Sequence, residues 1–192
     1  MAAFAPAGLD RDVYSWVVEH RAVPFDWLFV ALSVVGHAGL LWIALALVLA
    51  RPAGKPVLFT TAVTAATVWT ADLVGLGLKG AVGRERPYEA VPVPDPLVSW
   101  DVGASFPSGH AATSAAGAVI LAHLLGRGGL WLGLLAAAVA FSRVYVGVHY
   151  PLDVLAGAAV GLAVGFAAVL SVRRLRRTSG APPRSGAEPP GG

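Results

Sequence analysis

The sequence predicts an all-α integral membrane bundle, with about five transmembrane helices and an amino-terminal amphipathic helix lying at the interface. Three observations predict it. Hydrophobic residues make up 56% of the 192 and charged residues only 13%, which leaves too little polar surface to face water all round. The apolar residues gather into runs of membrane-spanning length, and those runs are separated by basic, Pro-rich or Gly-rich turns.

In chain order, Leu9–Arg21 alternates charge with Val13, Trp16 and Val17. It is too short to span and reads as a helix lying on the membrane surface. Trp27–Leu49 carries no formal charge; as a helix it is about 34 Å long, matching a hydrocarbon core of ~30 Å. Arg51–Pro56 is a tight basic turn, and Val57–Leu78 forms the second span. Tyr88–Ser105 is a loop, because its run of prolines from Pro92 to Pro96 breaks any helix. Spans three, four and five are expected over Ser108–Gly126, Leu130–Tyr145 and Pro151–Val172. The domain reading is therefore an interfacial segment over 1–26, a membrane-embedded domain over 27–172, and a basic tail over 173–192 whose Gly, Pro and Ser content predicts disorder. Asp153, Gly157, Gly161 and Gly165 form one small-residue stripe, and Gly109, Thr113 and Gly117 another. Both are expected to face the bundle interior, where small residues let helix backbones approach closely.

Some classes are excluded. Cysteine is absent, so there are neither disulfides nor thiolate metal sites. The net charge of +3 is small, and the cations sit at span ends and in the tail, which argues against a nucleic-acid partner.

The span count places three polar clusters on one rim: Lys79–Pro87 after span two, Ser105–His110 before span three, and Arg143–Asp153 between spans four and five. The opposite rim holds Arg51, Lys55, Arg127 and the tail arginines. On the motif rim, once Lys79, Arg86 and Arg143 are assigned to a site, only Arg11, Arg21 and Arg84 are left. By the positive-inside rule the clusters face away from the cytoplasm, and the carboxyl terminus is cytoplasmic. Pro151 suits the first turn of a helix, so His149 lies just before that helix and Asp153 in its first turn. At four-residue spacing the carboxylate can hold one ring nitrogen and leave the other as nucleophile, base or ligand. Ser108 can cap span three, and the Ser108, Gly109 and His110 N–H groups then form an anion site. Two ionisable residues lie inside spans: His37, and Asp72 on one helix face with Lys79. Asp72 is a candidate supporting partner for the site's cations. Trp100 in the Pro-rich loop reads as an interfacial anchor or part of a lipid entrance.

Taken together, Lys79 and Arg86-Pro87, then Pro107-Ser108-Gly109-His110, then Ser142-Arg143, His149 and Asp153 resemble the tripartite signature of the type 2 phosphatidic acid phosphatase superfamily, in order and at every fixed identity. The resemblance implies a membrane lipid phosphatase without a metal cofactor. Its implied catalytic residues are His149 as the nucleophile that becomes phosphohistidine, Asp153 as its orienting partner and His110 as the acid for the leaving oxygen. Its implied phosphate clamp is Lys79, Arg86, Ser108, Gly109 and Arg143. Implied substrates are polyprenyl diphosphate, phosphatidic acid or phosphatidylglycerophosphate. Two alternatives stand beside it: a vanadate-dependent haloperoxidase using the same clamp, and a non-catalytic membrane scaffold or transporter. The amphipathic Leu9–Arg21 segment stands where longer members of the family have a further span.

Overall fold

The computed structural model describes residues 8–92, 94–99 and 103–179. Among them the chain forms α1 (Gly8–Glu19), α2 (Val23–Val35), a 3-10 turn (His37–Gly39), α3 (Leu40–Ala50), α4 (Val57–Val82), α5 (Pro87–Ala90), α6 (Gly109–Leu125), α7 (Gly129–Tyr145) and α8 (Pro151–Ser179). The described residues are entirely helix and connection, as the composition predicts. Trp100 and residues 180–192 lie outside them.

The first expected span is broken. α2 and α3 together are long and apolar enough to cross a membrane, but they meet at 54°. The break falls at Gly36-His37-Ala38-Gly39, where Ala38 (φ 51°) and Gly39 (φ 72°) are left-handed. Apolarity alone does not show the break, because a bent and a straight helix bury similar side chains. Packing holds the bend: a Cβ on Gly39 would sit 3.0 Å from Val68, and one on Gly36 would sit 2.6 Å from Val139. Of the other expected spans, α4 and α8 qualify by length, whereas α6 and α7 have 17 residues each, about 25 Å and at the lower limit for crossing. α6 tolerates this because it is the central helix, packed against α3, α4, α7 and α8 and buried along nearly its whole surface.

The two small-residue stripes both point inward, toward different partners. On α8, a Cβ at Gly157 would lie 2.3 Å from the Ser108 carbonyl, and one at Gly161 would lie 2.1 Å from the Ala112 carbonyl. α6 and α8 therefore touch backbone to backbone. The α6 stripe faces the other way: Gly117 lies flat against Trp42, and Thr113 meets Gly39. Trp42 completes this contact by donating Nε1–H to Ser114 Oγ at 3.2 Å. Because neither carbonyl can give way, Gly161→Val should destabilise the bundle by about 1–3 kcal/mol. Gly77→Ala inside α4, with nothing within 4 Å of its Cβ position, should leave stability unchanged or raise it by up to about 1 kcal/mol, since alanine is the better helix former. Thermal unfolding of the two variants in detergent checks the contrast.

Two expectations need correction at the ends of the chain. The basic cluster Arg173, Arg174, Arg176 and Arg177 is not disordered, since α8 continues through it to Ser179. Arginine is a good helix former, and here it extends a helix already nucleated in the bundle. At the other end, α1 does more than lie on the surface. Its outer face exposes Leu9 and Trp16, while Asp10, Tyr14, Val17 and Val18 are buried against α7 and α8.

Candidate active site

Backbone bonds gather the polar clusters at one end of the bundle. Ser108 N–H donates to the Asp153 carbonyl (2.9 Å), Ser105 N–H to the Arg84 carbonyl (2.7 Å), and Leu97 N–H to the Val146 carbonyl (2.9 Å). These three bonds tie the α4–α5 turn, the start of α6 and the α7–α8 turn to a common rim.

His149 lies in the turn before α8 and is 1% exposed. Its Nδ1 faces Ser105 Oγ at 3.4 Å and Asp153 Oδ2 at 3.5 Å, which leaves Nε2 as the nitrogen available for chemistry. Asp153 is fully buried and surrounded by donors. Oδ2 accepts from Ser105 Oγ (2.5 Å) and Tyr150 N–H (2.9 Å), and Oδ1 accepts from Arg84 Nη1 (2.5 Å). A carboxylate so surrounded stays ionised and fixed in one rotamer. Burial lowers the pKa of His149 to about 4; the hydrogen bond to Asp153 opposes the shift, and Arg143 and Arg86 reinforce it. At neutral pH the ring is therefore an uncharged imidazole, the form with a lone pair to give.

His110 is the second residue of α6. Its Nε2 lies 3.0 Å from the Ser33 carbonyl. That carbonyl is in the last turn of α2, where the break removes the next N–H in the helix and leaves the oxygen to other donors. The broken span thus serves the site: Ser33 Oγ also accepts from Arg143 Nη1, and the His37 ring packs edge-on against His110 at 5.9 Å. The cations of the proposed clamp are braced by loop oxygens. Lys79 Nζ donates to the Ala104 carbonyl (2.9 Å), and Arg86 donates through Nε to Gly103 and through Nη1 to Val148 (2.9 Å each). Ser108 occupies the N-cap position of α6 in extended geometry, but its side chain does not make the expected capping hydrogen bond, and its buried Oγ has no partner among the described residues. Asp72 approaches Gly109, its Oδ1 3.1 Å from the position a Cβ would take, so it stands beside the amino terminus of α6. Among the described residues no group of His, Asp and Glu side chains is arranged to hold a metal ion.

The sequence reading missed four residues of this assembly: Asp10, Ser33, Arg84 and Ser105. One of them left a signal. Asp10 shares a helix face with Tyr14, Val17 and Val18, which puts a charge on the apolar stripe, where only a buried partner makes it tolerable. Ser33 and Ser105 carry no comparable mark.

A family model for the PAP2 superfamily matches residues 56–177. The chain belongs to this superfamily. Among curated relatives, it is 36% identical over 133 residues to the decaprenylphosphoryl-5-phosphoribose phosphatase of Mycolicibacterium smegmatis, covering 66% of this chain and 68% of that one. It is 40% identical over 101 residues to an undecaprenyl-diphosphatase of Sulfolobus acidocaldarius, covering 52% and 48%. It is 37% identical over 93 residues to the bacitracin transport permease protein BcrC of Bacillus licheniformis, covering 48% and 45%. The match thus spans about half the length of two of these relatives. Among solved structures, the PAP2 type phosphatidylglycerolphosphate phosphatase of Bacillus subtilis superimposes with a TM-score of 0.75 at 24% identity, covering 88% of this chain and 87% of that one. A bacterial vanadium-dependent iodoperoxidase superimposes at 0.73 with 17% identity, covering 85% and 48%. Both likenesses establish the PAP2 fold.

Proposed function

We propose that this PAP2 protein is a membrane lipid phosphatase that hydrolyses a lipid phosphate or diphosphate through a phosphohistidine on His149. The observation that carries the reading is the buried imidazole held at Nδ1 beside Ser105 and Asp153, with Nε2 left to attack. In the first step the Nε2 lone pair forms a bond to phosphorus as the bond to the lipid oxygen breaks, and His110 gives that oxygen a proton. In the second, water attacks the phosphorus, His110 takes its proton, and the nitrogen–phosphorus bond breaks to release phosphate. The charge on the transferring phosphoryl group is met by Lys79, Arg86 and Arg143 and by the amino terminus of α6.

Polyprenyl phosphates and diphosphates are the favoured substrate class, because two of the curated relatives are named for polyprenyl-linked substrates. We place the site on the extracytoplasmic face and the carboxyl end of α8 in the cytoplasm. The excess of arginine and lysine at the opposite rim supports this orientation. The test is phosphate release by purified protein in detergent, with EDTA, from a panel of polyprenyl diphosphate, polyprenyl phosphate, phosphatidic acid and phosphatidylglycerophosphate. Release from none of them would favour a scaffold, and halide oxidation dependent on added vanadate would favour a peroxidase.

The depressed pKa of His149 predicts the acid side of the pH profile. Since only the unprotonated ring attacks, kcat/KM should rise through a limb near pH 4, not near 6.5, and be level above it as far as this residue is concerned. Profiles for a monophosphate and a diphosphate substrate separate the enzyme's limb from ionisation of the substrate: the limb common to both is that of His149.

A further inference from the structure

Arg84 is 1% exposed and lies between two buried carboxylates. Its Nη1 meets Asp153 Oδ1 at 2.5 Å, and its Nη2 meets Asp10 Oδ2 at 2.5 Å. Its guanidinium rests 4.2 Å from the centroid of the Tyr150 ring, which is braced edge-on by Tyr14 of α1 at 5.4 Å. Asp10 uses its second oxygen to accept the Leu152 N–H at 2.8 Å, satisfying a donor in the first turn of α8 that no residue of α8 reaches. One carboxylate on α1 therefore touches both the helix that carries Asp153 and the arginine that neutralises Asp153. Asp10 also lies outside the stretch that the family model matches, which begins at residue 56.

We propose that α1 belongs to the catalytic apparatus, with Asp10 and Arg84 acting as positioning residues that set the orientation and effective charge of Asp153. The proposal rests on the phosphohistidine reading. A guanidinium paired only with Asp153 would draw that carboxylate's negative charge away from His149. With Asp10 on the other side of the fork, the arginine is shared, and the trio Asp10, Arg84 and Asp153 keeps one net negative charge facing the imidazole. Arginine suits the position because its planar fork reaches two carboxylates at once, whereas a lysine ammonium offers only a point charge. Among the described residues, the groups that face His149 are Asp153 from α8, Ser105 from the loop before α6, Arg86 from the α4–α5 turn and Arg143 from α7. Asp153 is the only anion among them. Its charge therefore governs how well the ring bears the positive charge that develops as Nε2 bonds to phosphorus.

Asp10→Asn separates this role from a purely structural one. The amide keeps the volume and the oxygen that accepts the Leu152 N–H, while its NH₂ replaces the oxygen that accepted from Arg84 Nη2, so the charge and the bond to Arg84 are lost together and the tie to α8 is kept. Phosphate release from polyprenyl diphosphate should show kcat lower by about tenfold or more, KM within about twofold of the parent because the clamp is untouched, and the acid limb of kcat/KM moved to lower pH because an uncompensated Arg84 joins Arg143 and Arg86 against the imidazolium. Arg84→Lys keeps the charge but cannot bridge both carboxylates, and should lower kcat by a similar factor. If Asp10→Asn retains kcat within twofold with an unmoved limb, Asp10 is a strut and the proposal is overturned. A parent protein that releases no phosphate would instead overturn the functional reading, and this inference with it.

Discussion

Replacing His149 by alanine should lower phosphate release by at least about 10⁴-fold while the bundle stays folded. The ring is buried at the rim and supports the fold through little besides its contacts with Ser105 and Asp153, so its loss removes the nucleophile and leaves a small cavity. Water could attack a clamped phosphate without it, but no other described group offers a lone pair held by a fixed carboxylate. Acid-labile, alkali-stable phosphate on the parent protein, trapped during turnover and missing from His149→Ala, would show the covalent intermediate. Release that persists in the variant would refute the nucleophile assignment.

Asp153→Asn should cost nearly as much, on the order of 10³-fold or more in kcat, although it changes one atom. The groups facing Asp153 are all donors: Arg84 Nη1, Ser105 Oγ, the Tyr150 N–H and, in the productive tautomer, His149 Nδ1. Asparagine has one acceptor oxygen and one NH₂. Arg84 cannot accept, so the oxygen must stay toward it and the NH₂ takes the place of Oδ2. Ser105 can turn its hydroxyl to accept, but the Tyr150 N–H is then left unpaired in a buried position, a cost of about 1–3 kcal/mol. Facing an NH₂, His149 is driven to accept at Nδ1 and carry its proton on Nε2, the nitrogen that must attack. A wrong tautomer in unchanged geometry is a large kinetic defect with a modest structural one. The measurements are kcat, expected to collapse, and thermal unfolding in detergent, expected to fall by only a few degrees. An Asp153→Asn protein with near-parent kcat would show that Nδ1 needs no acceptor, and would remove the physical basis of the mechanism.

The site was legible to the extent that its chemistry is local. His149 and Asp153 sit four residues apart across a proline that starts a helix, and Ser108 and His110 open another, so spacing alone gives their relation to one another. Lys79, Arg86 and Arg143 are named by the same signature, and the parity of the spans brings the clusters to one rim. Arg84 was indistinguishable in sequence from a membrane anchor, because what sets it apart is the pair of carboxylates that reach it from residues 10 and 153. Ser33 matters through its carbonyl, which the break in the first span frees for His110, and through its hydroxyl, which accepts from Arg143, and both partners are far from it in sequence.

From the sequence alone came the helical membrane class, the approximate positions of the apolar helices and the identity of the residues that the family signature names, because hydropathy, capping and short spacings are properties of neighbours along the chain. The tertiary structure decided the bend at Gly36–Gly39, the two different partners of the glycine stripes, and the ion-pair chain from Asp10 through Arg84 to Asp153. These depend on which surfaces meet at a distance of ångströms after being far apart in sequence. Burial then changes the chemistry of those surfaces: an aspartate on an amphipathic helix at the rim becomes part of the charge balance around the imidazole.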